Sequence, residues 1–240
     1  MTYFRRLVLI PTGSFEYHGK ELPPDTDSVI ATGVVMGLAA AVKNGFPGEI
    51  LVLPPVNYGF SVEHTGQPLT AIISHTTFYS YLRELTFSFA QPRDLLVVIN
   101  GHGGNVHTIG SLEGDFNASF QDRKMFFPPL HPAPVKDLCV HLVGEIDVHA
   151  GSVEASLVAY YKGAASREYT VKLGKSVRGS LRFFRSTELA PEGVIARHAR
   201  VRADAEIGKS IHEAIVRETA DSVQGVLKSL GSFLEKGTEA

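Results

Sequence analysis

Cysteine and tryptophan are almost absent from this sequence of 240 residues, which has one cysteine and no tryptophan. The single cysteine, Cys139, excludes an internal disulfide and favours a reducing cytoplasm. It also excludes a zinc site built from several thiolates, so any metal must bind to histidine and carboxylate side chains. Because Cys139 lies between Leu138 and Val140, we expect it to be a core residue and not a catalytic nucleophile.

Long apolar runs and an excess of basic residues are also missing. No segment approaches the roughly 18 apolar residues that a membrane-spanning helix needs, so we expect no membrane partner. A net charge of −2 and a pI near 6.6 argue against a nucleic-acid partner. Residues 1–6 pass straight into an apolar segment, so we expect no signal peptide.

The 44% apolar content is enough for one full hydrophobic core. Since no repeat or linker interrupts the chain, we expect a single domain over residues 1–240. Short apolar runs predict strands at 7–10, 50–53, 95–99 and 124–127, and a further one at 181–184. Three- and four-residue spacing predicts helices at 76–90 and from Ile207 to Leu230. An Ala-, Val- and Leu-rich composition predicts another at 28–43, and we expect short helices at 106–116 and 152–161, after the glycine-rich loops.

Strands that alternate with helices favour an α/β fold in which helices cover both faces of a mostly parallel sheet. Residues 128–147 show no clear pattern. Segments rich in ionisable residues or glycine lie at three strand-to-loop junctions, at 16–27, 100–105 and 147–154. Because the carboxyl ends of parallel strands face the same edge of a sheet, we expect these three loops to meet there.

These three loops contain residue types that bind transition metals. The candidates are Glu16, His18, Asp27, His102, His149 and Glu154. Imidazole and carboxylate ligands together suit zinc, manganese or iron(II). With one bridging carboxylate the set could hold two ions about 3.5–4 Å apart, as in hydrolytic two-metal sites.

The segment Asn100–Asn105 also allows other interpretations. It could be a turn that needs positive φ at several glycines, or a phosphate loop at the start of a helix. The G-x-G-x-x-G pattern fails because Val106 takes the position of the third glycine, and no lysine follows as in a P-loop. A G-x-S-x-G nucleophile elbow is absent. A nucleotide-binding protein and a catalytically silent, metal-stabilised oligomer stay open as alternatives.

The same loops resemble the creatininase family (creatinine amidohydrolase-like proteins). The first family motif, G-S-x-E-x-H-G-x-x-L-P-x-x-T-D, is matched over residues 13–27. The second, N-G-H-G-G-N, is present at 100–105, and the third, H-A-G-x-x-E-[TA]-S, at 149–156. A softer signature covers 58–70, and the resemblance extends over roughly residues 7–160.

This resemblance implies a three-layer α/β/α fold, a homohexamer, and hydrolysis of a non-peptide amide or cyclic amide. It implies one or two divalent ions per subunit, with the ligands carried over motif by motif. Glu16, Asp27 and His102 correspond to the ligands of one ion, Asp27 bridges, and His18 corresponds to a ligand of the second ion. Creatininase itself has a further glutamate ligand where this sequence has Gly104, and Glu154 is our candidate replacement.

The resemblance also bears on mechanism and substrate. We predict that metal-activated water attacks the amide, and that His149, the histidine of the third motif, transfers a proton to the leaving nitrogen. The tryptophans that surround the substrate in creatininase are absent here, which argues against creatinine. Other family substrates are a precursor peptide in redox-cofactor maturation and a formylamino-pyrimidine ribosyl phosphate in archaeal flavin and deazaflavin synthesis.

For such a phosphorylated substrate, three arginines of the C-terminal third are candidates for binding the phosphate group. They are Arg178, Arg182 and Arg185. Three solvated arginines are an equally good interpretation of the same residues. The sequence therefore supports a small-molecule amide substrate and leaves its identity open.

Overall fold

The computed structural model describes residues 3–146, 149–173, 184–190, 192–196 and 198–237. Residues 181–183 of the strand predicted at 181–184 lie outside these ranges, as do Arg178 and Arg182. Arg185 lies within them and is exposed.

A four-stranded parallel sheet forms the centre of the fold. Its strands are β1 (Arg6–Thr12), β2 (Glu49–Val52), β3 (Asp94–Asn100) and β4 (Lys124–Phe126), in the spatial order β2-β1-β3-β4. β1 and β3 pair over their full lengths, from Arg6 opposite Asp94 to Thr12 opposite Asn100. Because the two strands begin and end opposite each other, the loops that follow β1 and β3 start at the same edge of the sheet. The four strands predicted in this part of the chain are confirmed.

Helices cover both faces of this sheet. The helices of the described residues are α1 (Thr26–Val42), α2 (His75–Phe89), α3 (Val106–Ser119), α4 (Ala133–Val143), α5 (Ser152–Lys162), α6 (Ser186–Leu189) and α7 (Ala205–Gly237). Successive strand residues point to opposite faces: Leu7 and Leu9 join a core with α1, α5 and α7, whereas Val8 and Ile10 join a core with α2 and α3. Burial on both faces explains the continuous apolar runs of these strands.

The C-terminal helix α7 has the amphipathic stripe that its sequence predicts, with Ile207, Ile211, Ile215 and Val223 buried. It packs against α1 and α5. A Cβ at Gly208 would overlap the carbonyl oxygen of Ser156, so glycine lets the two helices approach closely. α7 thereby supports α5, which carries Glu154. Among the described residues, no helix is long and apolar enough to cross a membrane.

Two features were not predicted. α4 occupies the segment that showed no clear pattern, beginning after Pro132 and ending at Gly144, which has a φ of 81°. Its buried Cys139 confirms the assignment of this cysteine to the core. The second feature is an antiparallel pair, β5 (Arg167–Thr170) and β6 (Arg200–Ala203).

Candidate metal centre

The candidate site lies at the edge where β1 and β3 end. Glu16 and His18 follow β1, and His102 follows β3. Asp27 is in the first turn of α1 and Glu154 in the first turn of α5. The structure therefore brings together loops that are far apart in sequence, as the parallel topology predicts.

Two glycines allow α1 to begin against these strand ends. A Cβ at Gly101 would overlap the carbonyl oxygen of Asp27, and one at Gly13 would lie 2.5 Å from the backbone nitrogen of Ser28. Side chains at either position would push the first turn of α1 away from the sheet. The glycines of the two motifs thus fix the position of Asp27.

Glu16, Asp27 and His102 form the first ligand group. The Nδ1 atom of His102 lies 3.2 Å from Glu16 Oε1 and 3.2 Å from Asp27 Oδ2. All three side chains are buried, and both oxygens of Glu16 and Oδ2 of Asp27 lack a hydrogen-bond partner among the described residues. Buried carboxylate oxygens are costly unless they are paired or bind a metal, so this group fits a cation.

His18, Asp27 and Glu154 form the second ligand group. His18 Nε2 lies 3.2 Å from Asp27 Oδ1 and 3.8 Å from Glu154 Oε2. Asp27 thus presents Oδ2 to the first ligand group and Oδ1 to the second, as a bridging carboxylate would. In each group the ligand atoms lie within 4.8 Å of one another.

His149 belongs to the same cluster. Its Nδ1 lies 3.6 Å from Glu16 Oε1, and its ring centroid is 4.2 Å from that of His18. Glu16, His18 and His149 also place one ligand atom each within 4.8 Å of one another. The geometry therefore permits His149 to be either a metal ligand, through Nδ1, or the proton carrier that the sequence predicts.

Backbone carbonyl groups orient all three imidazole rings. His18 Nδ1 donates to Glu16 O at 2.9 Å, His102 Nε2 to Phe60 O at 3.0 Å and His149 Nε2 to Tyr17 O at 2.8 Å. A neutral imidazole has only one N–H, so its other nitrogen directs a lone pair at the carboxylates. Either a proton on that nitrogen or a bound cation can join the imidazole to the carboxylates, and such carbonyl contacts typically orient metal-bound histidines.

The electrostatics of the cluster's own side chains also favour added positive charge. Burial lowers the pKa of His18, but Asp27 and the neighbouring carboxylates outweigh this and raise it to about 10. Burial raises the pKa of Glu16, and His102 reverses this and holds it well below the usual value. His149 differs, because burial and its neighbours His18 and His64 lower its pKa to about 4.

Two residues that were not predicted as part of the site, Glu63 and His64, also reach it. His64 is buried, with Nε2 3.3 Å from Glu16 Oε1 and its ring centroid 4.3 Å from that of His149. Glu63 Oε1 lies 3.4 Å from His102 Nε2. Both belong to a 3-10 turn, Val62–His64. A signal existed, since this loop follows β2, whose carboxyl end faces the same edge of the sheet.

Position 104, where the resemblance implied a further ligand, has no room for a side chain. A Cβ at Gly104 would overlap Phe60 O and would lie 2.5 Å from His102 Nε2 and 2.6 Å from Glu63 Oε1. Glu154, the predicted replacement, lies in the second ligand group, where its Oε2 also accepts a hydrogen bond from Ala150 N at 2.7 Å.

The family model for creatinine amidohydrolase, named Creatininase, matches residues 3–223. The chain belongs to the creatininase family. Solved structures agree with this at the level of the fold. A creatininase crystal structure superimposes with a TM-score of 0.71 at 20% identity, covering 92% of this chain and 90% of that one. A putative creatinine amidohydrolase from Bacteroides fragilis gives 0.72 at 21% identity, with 95% and 90% coverage. The three-layer α/β/α fold is therefore confirmed.

Curated relatives in the family differ in the substrates that their names state. The mycofactocin precursor peptide peptidase of Mycolicibacterium smegmatis is 32% identical over 154 residues, which are 64% of this chain and 57% of that protein. The 2-amino-5-formylamino-6-ribosylaminopyrimidin-4(3H)-one 5'-monophosphate deformylase of Methanocaldococcus infernus is 30% identical over 129 residues, 52% of this chain and 54% of that protein. The chain thus spans less than two thirds of the length of these relatives.

Proposed function

We propose that this chain is a metal-dependent amidohydrolase that cleaves a C–N bond of a small amide with metal-activated water. One observation carries the proposal: the buried carboxylate of Asp27 presents one oxygen to each of two ligand groups. Membership of the creatininase family supports hydrolysis, and so do relatives named as a peptidase and a deformylase.

The two ligand groups define the proposed metal ligands. Glu16, Asp27 and His102 would hold one divalent ion, and His18, Asp27 and Glu154 a second. Mixed imidazole and carboxylate ligands suit zinc, iron(II) or manganese. An ion bound there would supply Lewis acidity and lower the pKa of water toward about 7.

We assign proton transfer to His149. Its Nε2 is held by Tyr17 O at 2.8 Å, so Nδ1 is the nitrogen that can accept a proton from water and deliver it to the leaving nitrogen. Glu154, whose side chain is 16% exposed, is a second candidate for this transfer. If His149 only transfers protons, His149→Asn keeps the metal and loses turnover; loss of metal in that variant would instead make it a ligand.

Two substrate classes are supported by particular relatives. The match to the Methanocaldococcus infernus protein supports a formylamino-pyrimidine ribosyl phosphate, with Arg178, Arg182 and Arg185 as phosphate-binding candidates. The match to the Mycolicibacterium smegmatis protein supports a short peptide. The alternative without amide hydrolysis is a catalytically silent oligomer that bound metal stabilises.

We further infer one domain over residues 1–240, a homohexamer, and a cytoplasmic location. The packing of α7 against α1 supports the single domain, because it joins the two ends of the chain. The family resemblance supports the hexamer, and the lone Cys139 supports a reducing compartment. Light scattering after size-exclusion chromatography measures the assembly directly.

Metal removal and restoration test the proposed activity. The purified protein is analysed for bound metals, stripped with a chelator, and reconstituted separately with zinc, manganese and iron(II). Each form is offered creatinine, a formylamino-pyrimidine and a short peptide amide. We expect hydrolysis of at least one amide that disappears on stripping and returns with metal. Stoichiometric metal without hydrolysis of any of these amides would favour the silent oligomer.

A further inference from the structure

The imidazole of His102 has a carboxylate on each side. Nδ1 faces Glu16 and Asp27, the other two members of the first ligand group. Nε2 faces Glu63, whose Oε1 lies 3.4 Å away. Glu63 is largely enclosed, with 15% of its side chain exposed. Since Nε2 donates its proton to Phe60 O at 3.0 Å, the carboxylate of Glu63 lies next to the N–H group and acts on the ring by its charge.

The space that Glu63 enters exists because position 104 is glycine. A Cβ at Gly104 would lie 2.6 Å from Glu63 Oε1 and 2.5 Å from His102 Nε2. Any side chain there would displace Glu63 or turn the imidazole. Gly104 and Glu63 are therefore complementary, although they lie in different loops.

The charges of the site favour one more anion. The proposed ligands include three carboxylates, those of Glu16, Asp27 and Glu154, whereas two divalent ions carry four positive charges. Glu63 would bring the count of nearby carboxylates to four. In a buried site of low dielectric constant, this compensation strengthens metal binding.

We propose that Glu63 is a positioning residue that acts through His102: it fixes the ring with Nδ1 toward the first ligand group and makes that nitrogen a better donor. This inference rests on the proposed function, since it presupposes bound metal. Glu63 acts on Nε2, so its effect should fall on the ion of the first ligand group and spare that of the second.

The test compares three forms of the full-length chain: the parent, Glu63→Gln and Glu84→Gln. Glu84→Gln is the matched control, because it makes the same chemical change at an exposed position of α2. Each metal-free protein is titrated with Co²⁺ and Zn²⁺ against a competing chelator. The visible absorption of the Co²⁺ form reports the ligand geometry, and circular dichroism reports folding.

We expect Glu63→Gln to bind one of two ions about 10–100-fold more weakly, as changes to the partners of metal-bound histidines typically do. The other ion and the metal-free fold should be unchanged, and Glu63→Asp should recover part of the loss. Two affinities within twofold of the parent values would overturn the role of Glu63 alone. A parent protein that binds no divalent ion would overturn the proposed function, and this inference with it.

Discussion

The two ligand groups share Asp27 but lie in different surroundings. The first, with Glu16 and His102, is wholly buried and is built from the loops after β1 and β3 and the start of α1. The second, with His18 and Glu154, includes a partly exposed carboxylate and depends on the packing of α5. This difference suggests distinct tasks: the enclosed ion would hold the site together, and the more open one would exchange and contact the substrate.

The largest expected effect would come from removing the residue that the groups share. Asp27→Asn keeps the shape of the side chain and removes its charge, so both ions should be lost and turnover should fall by at least about 1,000-fold, within the range that metal activation of water supplies. Elemental analysis and rate measurements check this. Asp25→Asn, in the same loop but outside both groups, should keep both ions. Retention of two ions by Asp27→Asn would refute the bridge.

A smaller effect should separate the two groups. His102→Ala removes a ligand of the first group only, and Glu154→Gln removes a charged ligand of the second only. We expect each variant to keep about one ion and to lose turnover by roughly 100-fold or more, beyond what changes to supporting partners cause. When the parent is treated with a chelator and its metal content is followed over time, the ion of the second group should leave first. That is the ion that Glu154→Gln lacks, and the ion that His102→Ala lacks should leave later. Simultaneous release would show that the groups act as one.

The smallest effect should come from a change at the C-terminal end of α5, at the opposite end of that helix from Glu154. The hydroxyl of Tyr161 on α5 forms a hydrogen bond of 2.8 Å with Nδ1 of His212 on α7. Tyr161→Phe removes this hydrogen bond and should lower the free energy of unfolding by about 1 kcal/mol, measured by urea denaturation of the metal-free protein. Metal affinity should stay within twofold of the parent value. A large loss of metal would mean that the α5–α7 contact controls the second ligand group.

Much of the site was predictable because it follows from the topology of a parallel sheet. Glu16, His18, Asp27, His102, His149 and Glu154 were expected to meet, and the structure brings all six together. Glu63 and His64 were not assigned to the site, because a 3-10 turn inside a polar loop has no periodicity that shows which side chains point inward.

In the fold, as in the site, the elements with strong sequence patterns were predicted and those with weak patterns were missed. β1 and β3 are buried on both faces, so their apolar runs were clear. α4 follows a proline-rich entry, yet Val135, Leu138, Cys139 and Leu142 have helical spacing and pack in the core, so a signal was present. β5 and β6 are four residues each, carry several charges and pair with each other across a long stretch of chain, which no local pattern indicates.

The close contact between two strand-end glycines and the first turn of α1 has a consequence for how this sequence can vary. The backbone of Gly13 and Gly101 packs against Asp27 and Ser28 at the start of that helix. Loops elsewhere around the proposed centre can therefore change in sequence and length without moving the carboxylate of Asp27. A change of substrate on this scaffold would then need new residues only in those loops, and the position of Asp27 would not have to be rebuilt.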